Sequence, residues 1–379
     1  MNQKELSELR RRFRPDRSAI RRIYGCFVNE NRKIVSYLDE SMGRMPEEEA
    51  AQYLGFLKKA LSGTLGKQLI DLVFSTQQVM EGEEHKLLSA LRSSQLKEAP
   101  LREAFYRKVI DALELEGSYL ILLAHDAYDV PRRGRDDSLL EDSETVFSYL
   151  VCCVCPVKEG KVELGYFPGE NEFHSRAGLI VAPPELGFLF PAFDNRRANL
   201  YNALFYSRRA DQLHQEFIDG VFHTDPPMSA AEQREAFQTA LREGLGESCT
   251  VEVVQAIHQQ LLDQITRHKE SKNPEPLEVT ARDIGAVLQA CGVAPSLVQA
   301  FQDQCRDRLG EGVLHPANLI DPRRFEVKTQ GACVTVDPER SYLVQLREIQ
   351  GRQYLLLPAD GGVEVNGLPL SGRGPEAAE

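Results

Sequence analysis

Apolar positions change their spacing several times along the chain, and each change predicts a different kind of element. Leu6, Leu9 and Phe13 recur at helical spacing among arginines, so the chain opens with a short amphipathic helix that Pro15 should end. Ile20–Val28 and Lys33–Leu38 then read as the strands of a hairpin, with residues 29–32 as its turn. Three helices are expected next. The first begins at Pro46, whose fixed φ suits a first helical position, and Glu47, Glu48 and Glu49 suit the positive end of the helix dipole. It carries Ala50, Leu54, Leu57 and Leu61; the second carries Leu87, Leu88 and Leu91, and the third, from Pro100, carries Leu101, Phe105, Val109 and Leu113.

Two apolar runs, Ser118–Val130 and Val146–Val157, do not alternate, which predicts strands buried on both faces in the middle of a sheet. The segment between them, Pro131–Thr145, is polar and charged and is expected to be a mobile loop. Shorter strands are expected at Gly178–Val181, Gly187–Phe193 and Leu200–Ser207. Beyond His223 the pattern turns helical. Ser229 followed by Glu232 fits a capping box leading into Phe237, Leu241 and Leu245, and a second amphipathic stripe runs from Val251 to Ile265. Lys269–Pro276 reads as a linker, followed by helices at Ala281–Ala290 and Pro295–Leu309. From Phe325 short strands take over: Phe325–Lys328, Ala332–Val336, Tyr342–Ile349, Gln353–Leu357 and Val363–Val365. The expected class is therefore α+β, with a mixed helix and sheet domain at 1–222, a helical region at 223–320, a small β unit at 321–370 and a disordered tail at 371–379.

Composition adds charge asymmetry. The chain of 379 residues has a net charge of −12, yet seven arginines lie between Arg10 and Arg22. Residues 1–25 carry a net +5 and the remainder −17. Such lopsidedness can steer a polyanion toward one end of a protein that repels it elsewhere. Arg10, Arg11, Arg12, Arg14, Arg17, Arg21 and Arg22 are the leading candidates for contact with nucleic acid, DNA before RNA, against the alternative of a solvated helix face. A second basic patch, Arg196, Arg197, Arg208 and Arg209, is interleaved with Phe193, Tyr201, Phe205 and Tyr206; these could stack bases or simply be core. The N-terminus has no apolar signal segment and no apolar run is long enough to span a bilayer, so a cytoplasmic location without membrane attachment is expected.

Other candidate chemistry is thin. Cys152, Cys153 and Cys155 lack the spacing of a zinc site and read as buried thiols, and no disulfide framework, metal or cofactor is implied by the eight cysteines. Gly63–Gln68 has a shorter spacing than a phosphate-binding loop and no Ser or Thr for magnesium. His125 and Asp126, at the end of an apolar strand, are the place to look for acid–base catalysis, although no nucleophile accompanies them.

The segments Leu61–Lys67, Tyr119–Asp126 with Tyr128–Pro131, Gly187–Phe193, Phe325–Thr329, Asp337–Arg340 and Val363–Gly367 resemble a family of uncharacterised bacterial proteins, a domain of unknown function found in anaerobic Gram-positive bacteria. The likeness spans nearly the whole chain and implies no activity. The order of elements is also similar, more distantly, to that of the bacterial nucleoid-associated protein family. The corresponding stretches are the paired apolar strands Tyr119–Ala124 and Tyr149–Cys155, the segment Phe217–Gly220 with Met228–Ser229, and the closing Cys333–Val336, Tyr354–Leu357 and Val365–Gly367. That resemblance implies a non-enzymatic, nucleic-acid-binding role and carries over no DNA-contacting residue. A protein-interaction or scaffold role with an unidentified protein partner is the alternative, and an enzyme with a site near His125 and Asp126 is the third. Contact through five to seven arginines would give a salt slope of roughly −5 to −6 on duplex DNA. Oligomeric state is not legible from the residues.

Overall fold

A computed structural model describes residues 1–133, 139–167, 169, 171–225, 227–310, 314–360, 362–365 and 368–370. The chain divides into two compact units, residues 1–233 with 273–276, and residues 234–272 with 277–379. The α+β class holds. Of the helical region read from sequence at 223–320, residues 234–272 and 277–320 fall in the second unit with the short C-terminal strands, whereas 223–233 and 273–276 fall in the first.

The first unit is built on an antiparallel sheet between two helical layers. In chain order its elements are α1 (Gln3–Arg10), β1 (Arg22–Val28), β2 (Ile34–Ser41), α2 (Glu47–Lys59), β3 (Leu69–Val73), α3 (Thr76–Glu81), α4 (Glu83–Ser93) and α5 (Ala99–Ala112). There follow β4 (Ser118–Arg133), β5 (Leu139–Phe167), β6 (Glu172–Val181), β7 (Leu186–Phe190), β8 (Ala192–Asp194), β9 (Arg197–Asn199), β10 (Asn202–Ser207) and α6 (Gln215–Phe222). The strands run in the order β2-β1-β4-β5-β7-β10-β3, with β6 paired to β5. The two apolar runs are thus central. Every residue from Tyr149 to Cys155 is fully buried.

Side chains alternate across the sheet and feed two cores. Tyr119, Ile121 and Leu123 of β4, with Leu150, Cys152 and Val154 of β5, pack on α4, α5 and α6. Leu122 and Ala124, with Tyr149, Val151, Cys153 and Cys155, pack on α1 and α2. The approach of β7 to β5 is close enough that a Cβ at Gly187 would lie 2.6 Å from the Cys152 carbonyl oxygen and 2.7 Å from Ala60 Cβ. Only glycine fits there.

The polar segment Pro131–Thr145 departs from the expected loop. β4 continues to Arg133 and β5 starts at Leu139, and the two strands pair through register shifts at Val130–Pro131 and Pro131–Arg133. The expected mobility of residues 134–138 lies outside the described residues.

The second unit takes up the helix α7 (Ala230–Leu245), which begins in the first, and adds α8 (Val251–Ser271), α9 (Ala281–Ala290), α10 (Pro295–Leu309) and α11 (Pro316–Leu319). Phe237, Leu241, Ile257, Leu261, Leu288 and Phe301 are among the residues of its core. Ser229 and Glu232 form the expected capping box, Ser229 N–H donating to Glu232 Oε2 at 2.7 Å and Glu232 N–H to Ser229 Oγ at 3.1 Å. The expected linker at Lys269–Pro276 starts later, since α8 runs to Ser271 and ends with Lys272 in the left-handed region. The final strands are three separate two-stranded hairpins: β11 (Phe325–Lys328) with β12 (Cys333–Val336), β13 (Gln345–Ile349) with β14 (Arg352–Leu356), and β15 (Val363–Val365) with β16 (Leu368–Leu370). A 3-10 helix at Pro338–Leu343 occupies part of the stretch expected to be a strand from Tyr342. The expected disordered tail, 371–379, lies outside the described residues. Among the described residues no helix is long and apolar enough to cross a membrane.

Candidate functional site

The arginine-rich segment is anchored by α1 and then released into solvent. Asn2 caps the helix by accepting from Lys4 N–H and Glu5 N–H, each at 3.1 Å, while Glu5 Oε2 accepts from Asn2 N–H at 2.8 Å. Leu6, Leu9 and Phe13 are buried against the sheet. With that stripe fixed, the arginines between and beyond must point in different directions.

Arg10 and Arg12 point inward. Arg10 donates to the Leu61 carbonyl and, at 3.2 Å, to that of Gly63, so it holds the turn after α2. Burial lowers the pKa of Arg10. Arg12 grips Asp126 of β4 with both arms of its fork, Nε to Oδ2 at 3.0 Å and Nη2 to Oδ1 at 3.1 Å. Its guanidinium lies 4.3 Å from the centre of the Tyr128 ring. Tyr149 on β5 donates its hydroxyl to Asp126 Oδ2 at 2.7 Å. Arg12 is 16% exposed and Asp126 1%, so this ion pair is inside the protein. Burial opposes the charge on Arg12, but the Asp126 carboxylate outweighs it and shifts the pKa up. Burial first, then the same carboxylate, raises the Tyr149 phenol well above its ordinary value.

Arg196 belongs to the same network. It sits with Asn195 at positive φ in the two-residue turn between β8 and β9. Its side chain donates to Glu8 Oε2 at 2.6 Å and to the Pro131 carbonyl at 2.7 Å, and its backbone N–H donates to Glu5 Oε1 at 3.0 Å. Tyr128 donates to the other Glu8 oxygen at 2.6 Å. These groups tie α1 to the sheet. They are not available to a ligand.

Arg11, Arg14, Arg17 and Arg21 are exposed. The backbone between α1 and β1 is wound into turns, with Arg17 N–H and Ser18 N–H both donating to the Arg14 carbonyl at 3.0 and 2.8 Å. Arg17 has a loose ion pair with Asp16 at 3.5 Å, both well exposed. Among the described residues Arg11, Arg14 and Arg21 have no side-chain partner. Arg22 is held by Asp39 across the hairpin, Nε to Oδ1 at 2.8 Å.

The second basic patch separates in the same way. Arg208 and Arg209 share Glu185 at 3.6 and 3.7 Å, and Arg197 is exposed. Phe193, Phe205 and Tyr206 are buried, leaving Tyr201 as the exposed ring of the four. The stacking platform that the interleaved aromatics suggested is therefore not formed by those three rings.

His125 and Asp126 do not come together. They are consecutive on β4, so their side chains leave opposite faces of the sheet. His125 joins Ser148 at 2.8 Å on the α4–α6 side, while Asp126 faces Arg12 on the α1 side. Burial lowers the His125 pKa, outweighing the upward pull of Asp126, and the charges of Arg92 and Lys97 add smaller downward contributions. No acid–base pair exists at this position. Cys153 and Cys155 share one buried face with their sulfurs 3.8 Å apart, and Cys152 points to the other core. Among the described residues no cluster of His, Cys, Asp and Glu could hold a metal ion.

The chain belongs to a family defined by a domain of unknown function, DUF4317, whose model matches residues 1–368. No curated protein and no solved structure matches the chain.

Proposed function

We propose that this is a non-enzymatic, cytoplasmic bacterial protein of the nucleoid-associated kind that binds nucleic acid, DNA before RNA, through the segment between α1 and β1. The observation that supports it is the exposure of Arg11, Arg14, Arg17 and Arg21 in one short stretch whose only acid is Asp16. Four guanidinium groups held on a turn-rich backbone can neutralise phosphates without reading bases, and counterion release then supplies the driving force. Arg10, Arg12 and Arg196 are committed to internal partners, so the contact set is smaller than the arginine count suggests.

Fluorescence anisotropy of labelled duplex DNA tests the reading. With four phosphates engaged, log K against log salt should fall with a slope of about −3 to −4, and replacing Arg11, Arg14, Arg17 and Arg21 by alanine should flatten it. Absence of binding at low salt, or an unchanged slope in that variant, sinks the proposal.

A further inference from the structure

The outer part of β5 and its partner β6 leave the body of the sheet as a two-stranded ribbon. Beyond Val157, β5 is paired with β6 alone among the described residues. Val162 lies opposite Ala177, Leu164 opposite Ser175 and Tyr166 opposite Phe173, so these side chains share one face. A bulge between Glu159 and Val162 flips the parity of β5 and brings its alternate apolar residues onto that face. Leu179 continues the row, and Val181, next on the same side, packs into the core beneath α1 and α2. The apolar face of the sheet thus runs on past its helices into solvent.

That face is fully formed and uncovered. Leu164 and Phe173 are each 72% exposed, and Val162, Tyr166 and Leu179 are exposed with them. The Tyr166 and Phe173 rings lie 5.0 Å apart, and the Tyr166 hydroxyl donates to Asn171 Oδ1 at 2.6 Å, so the row is ordered within itself. An isolated two-stranded ribbon is marginal in water, and a contiguous apolar patch of this kind marks an interaction surface.

We infer that the β5–β6 ribbon is a self-association surface, on which two copies of this chain pack their apolar faces together about a twofold axis. Large apolar side chains bury on the order of 100–200 Å² each, so the exposed row presents roughly 500 Å² per chain and a symmetric pair buries about 1,000 Å², the lower bound of a specific interface. The charges around the face favour the same occupant. Glu159 lies opposite Leu179 on the face itself, with Lys161 beside it in the bulge, both exposed. One exposed charge of each sign beside the apolar row is complementary to its own twofold copy, which can set lysine against glutamate. A lipid surface or a nucleic acid would call for one sign.

Sedimentation analysis of the full chain without nucleic acid, over a range of concentrations, tests this. The wild type should pass from monomer to dimer in the micromolar range. Leu164→Ser with Phe173→Ser should remain monomeric while keeping its circular dichroism and melting transition, since neither residue belongs to a core. Amide exchange on the wild type at Val162–Tyr166 and Phe173–Leu179 should slow as concentration rises, which decides the matter should the variant misfold. A wild type that stays monomeric overturns the inference. So does a dimer that survives both substitutions, or exchange at the ribbon that ignores concentration.

Discussion

Arg12 and Arg14 are two residues apart and carry the same charge, yet the fold uses them in different ways. Arg12 sits inside the first unit, its fork closed on a carboxylate that is itself out of water, whereas Arg14 faces solvent from a turn. The comparison extends along the segment, with Arg10 on Arg12's side and Arg11, Arg17 and Arg21 on Arg14's. A basic cluster is therefore two objects. One part stitches a helix to a sheet, and the other is free to meet a polyanion.

The largest expected effect lies on the buried side. Arg12→Ala leaves Asp126 enclosed with Tyr149 as its remaining hydrogen-bond donor among the described residues, and an uncompensated buried charge of this kind costs about 3–5 kcal/mol. Asp126→Asn alone strands the Arg12 charge less severely, because Arg12 retains some solvent contact. Combining the two should restore part of the loss, giving a favourable coupling in a urea-unfolding double-mutant cycle. Additive losses would mean that the pair contributes nothing as a pair.

The neighbouring position sharpens the contrast through pH. Arg12 keeps its charge at every physiological pH, but His125, on the opposite face of the same strand, is pushed toward its neutral form by burial. His258 in the second unit is pushed the same way by burial, against the opposing hydrogen bond it donates to the Asp321 carbonyl at 3.2 Å. A histidine whose folded pKa lies below the unfolded value of about 6.5 stabilises the fold fully above that value and loses its contribution as pH falls toward the folded pKa. Thermal midpoints should therefore drop between about pH 7 and about pH 5, with the unfolded state taking up the extra protons. His125→Gln, which preserves a hydrogen-bonding partner for Ser148, should flatten that drop for the first unit, and His258→Gln for the second. A drop of unchanged size in both variants would assign it to other groups.

How much of this was legible depended on where each partner lies in the chain. The ends of α9 and α10 follow the sequence reading residue for residue, because Thr280 caps the one and Pro295 opens the other within the local sequence. β3 was missed, since Leu69–Val73 is short and follows a glycine-containing turn, and α3 was missed although Ser75 and Gln78 spell its capping box. The ribbon was missed for a different reason. Lys158–Lys161 looks like a turn that ends a strand, yet Val162, Leu164 and Tyr166 alternate beyond it, as do Phe173, Ser175, Ala177 and Leu179. The site was hardest. That some arginine must neutralise a lone aspartate at the end of an apolar strand is inferable from Asp126. That it is Arg12, 114 residues away, is not.

The smallest expected effects complete the comparison from the solvent side. Arg14→Ala removes a side chain with no partner among the described residues, and Arg17→Ala removes one whose carboxylate partner is itself solvated, so each should change stability by no more than about 0.5 kcal/mol. Arg22→Ala belongs with them, because the Asp39 pair on the hairpin is about half exposed at both ends. The near-neutrality carries weight for function. If the exposed arginines can be removed without cost to the fold, a loss of DNA affinity in the same variants belongs to the lost phosphate contacts. A cost above about 1 kcal/mol for Arg14→Ala would place that side chain among the structural arginines and leave too few charges in the segment for the proposed salt slope.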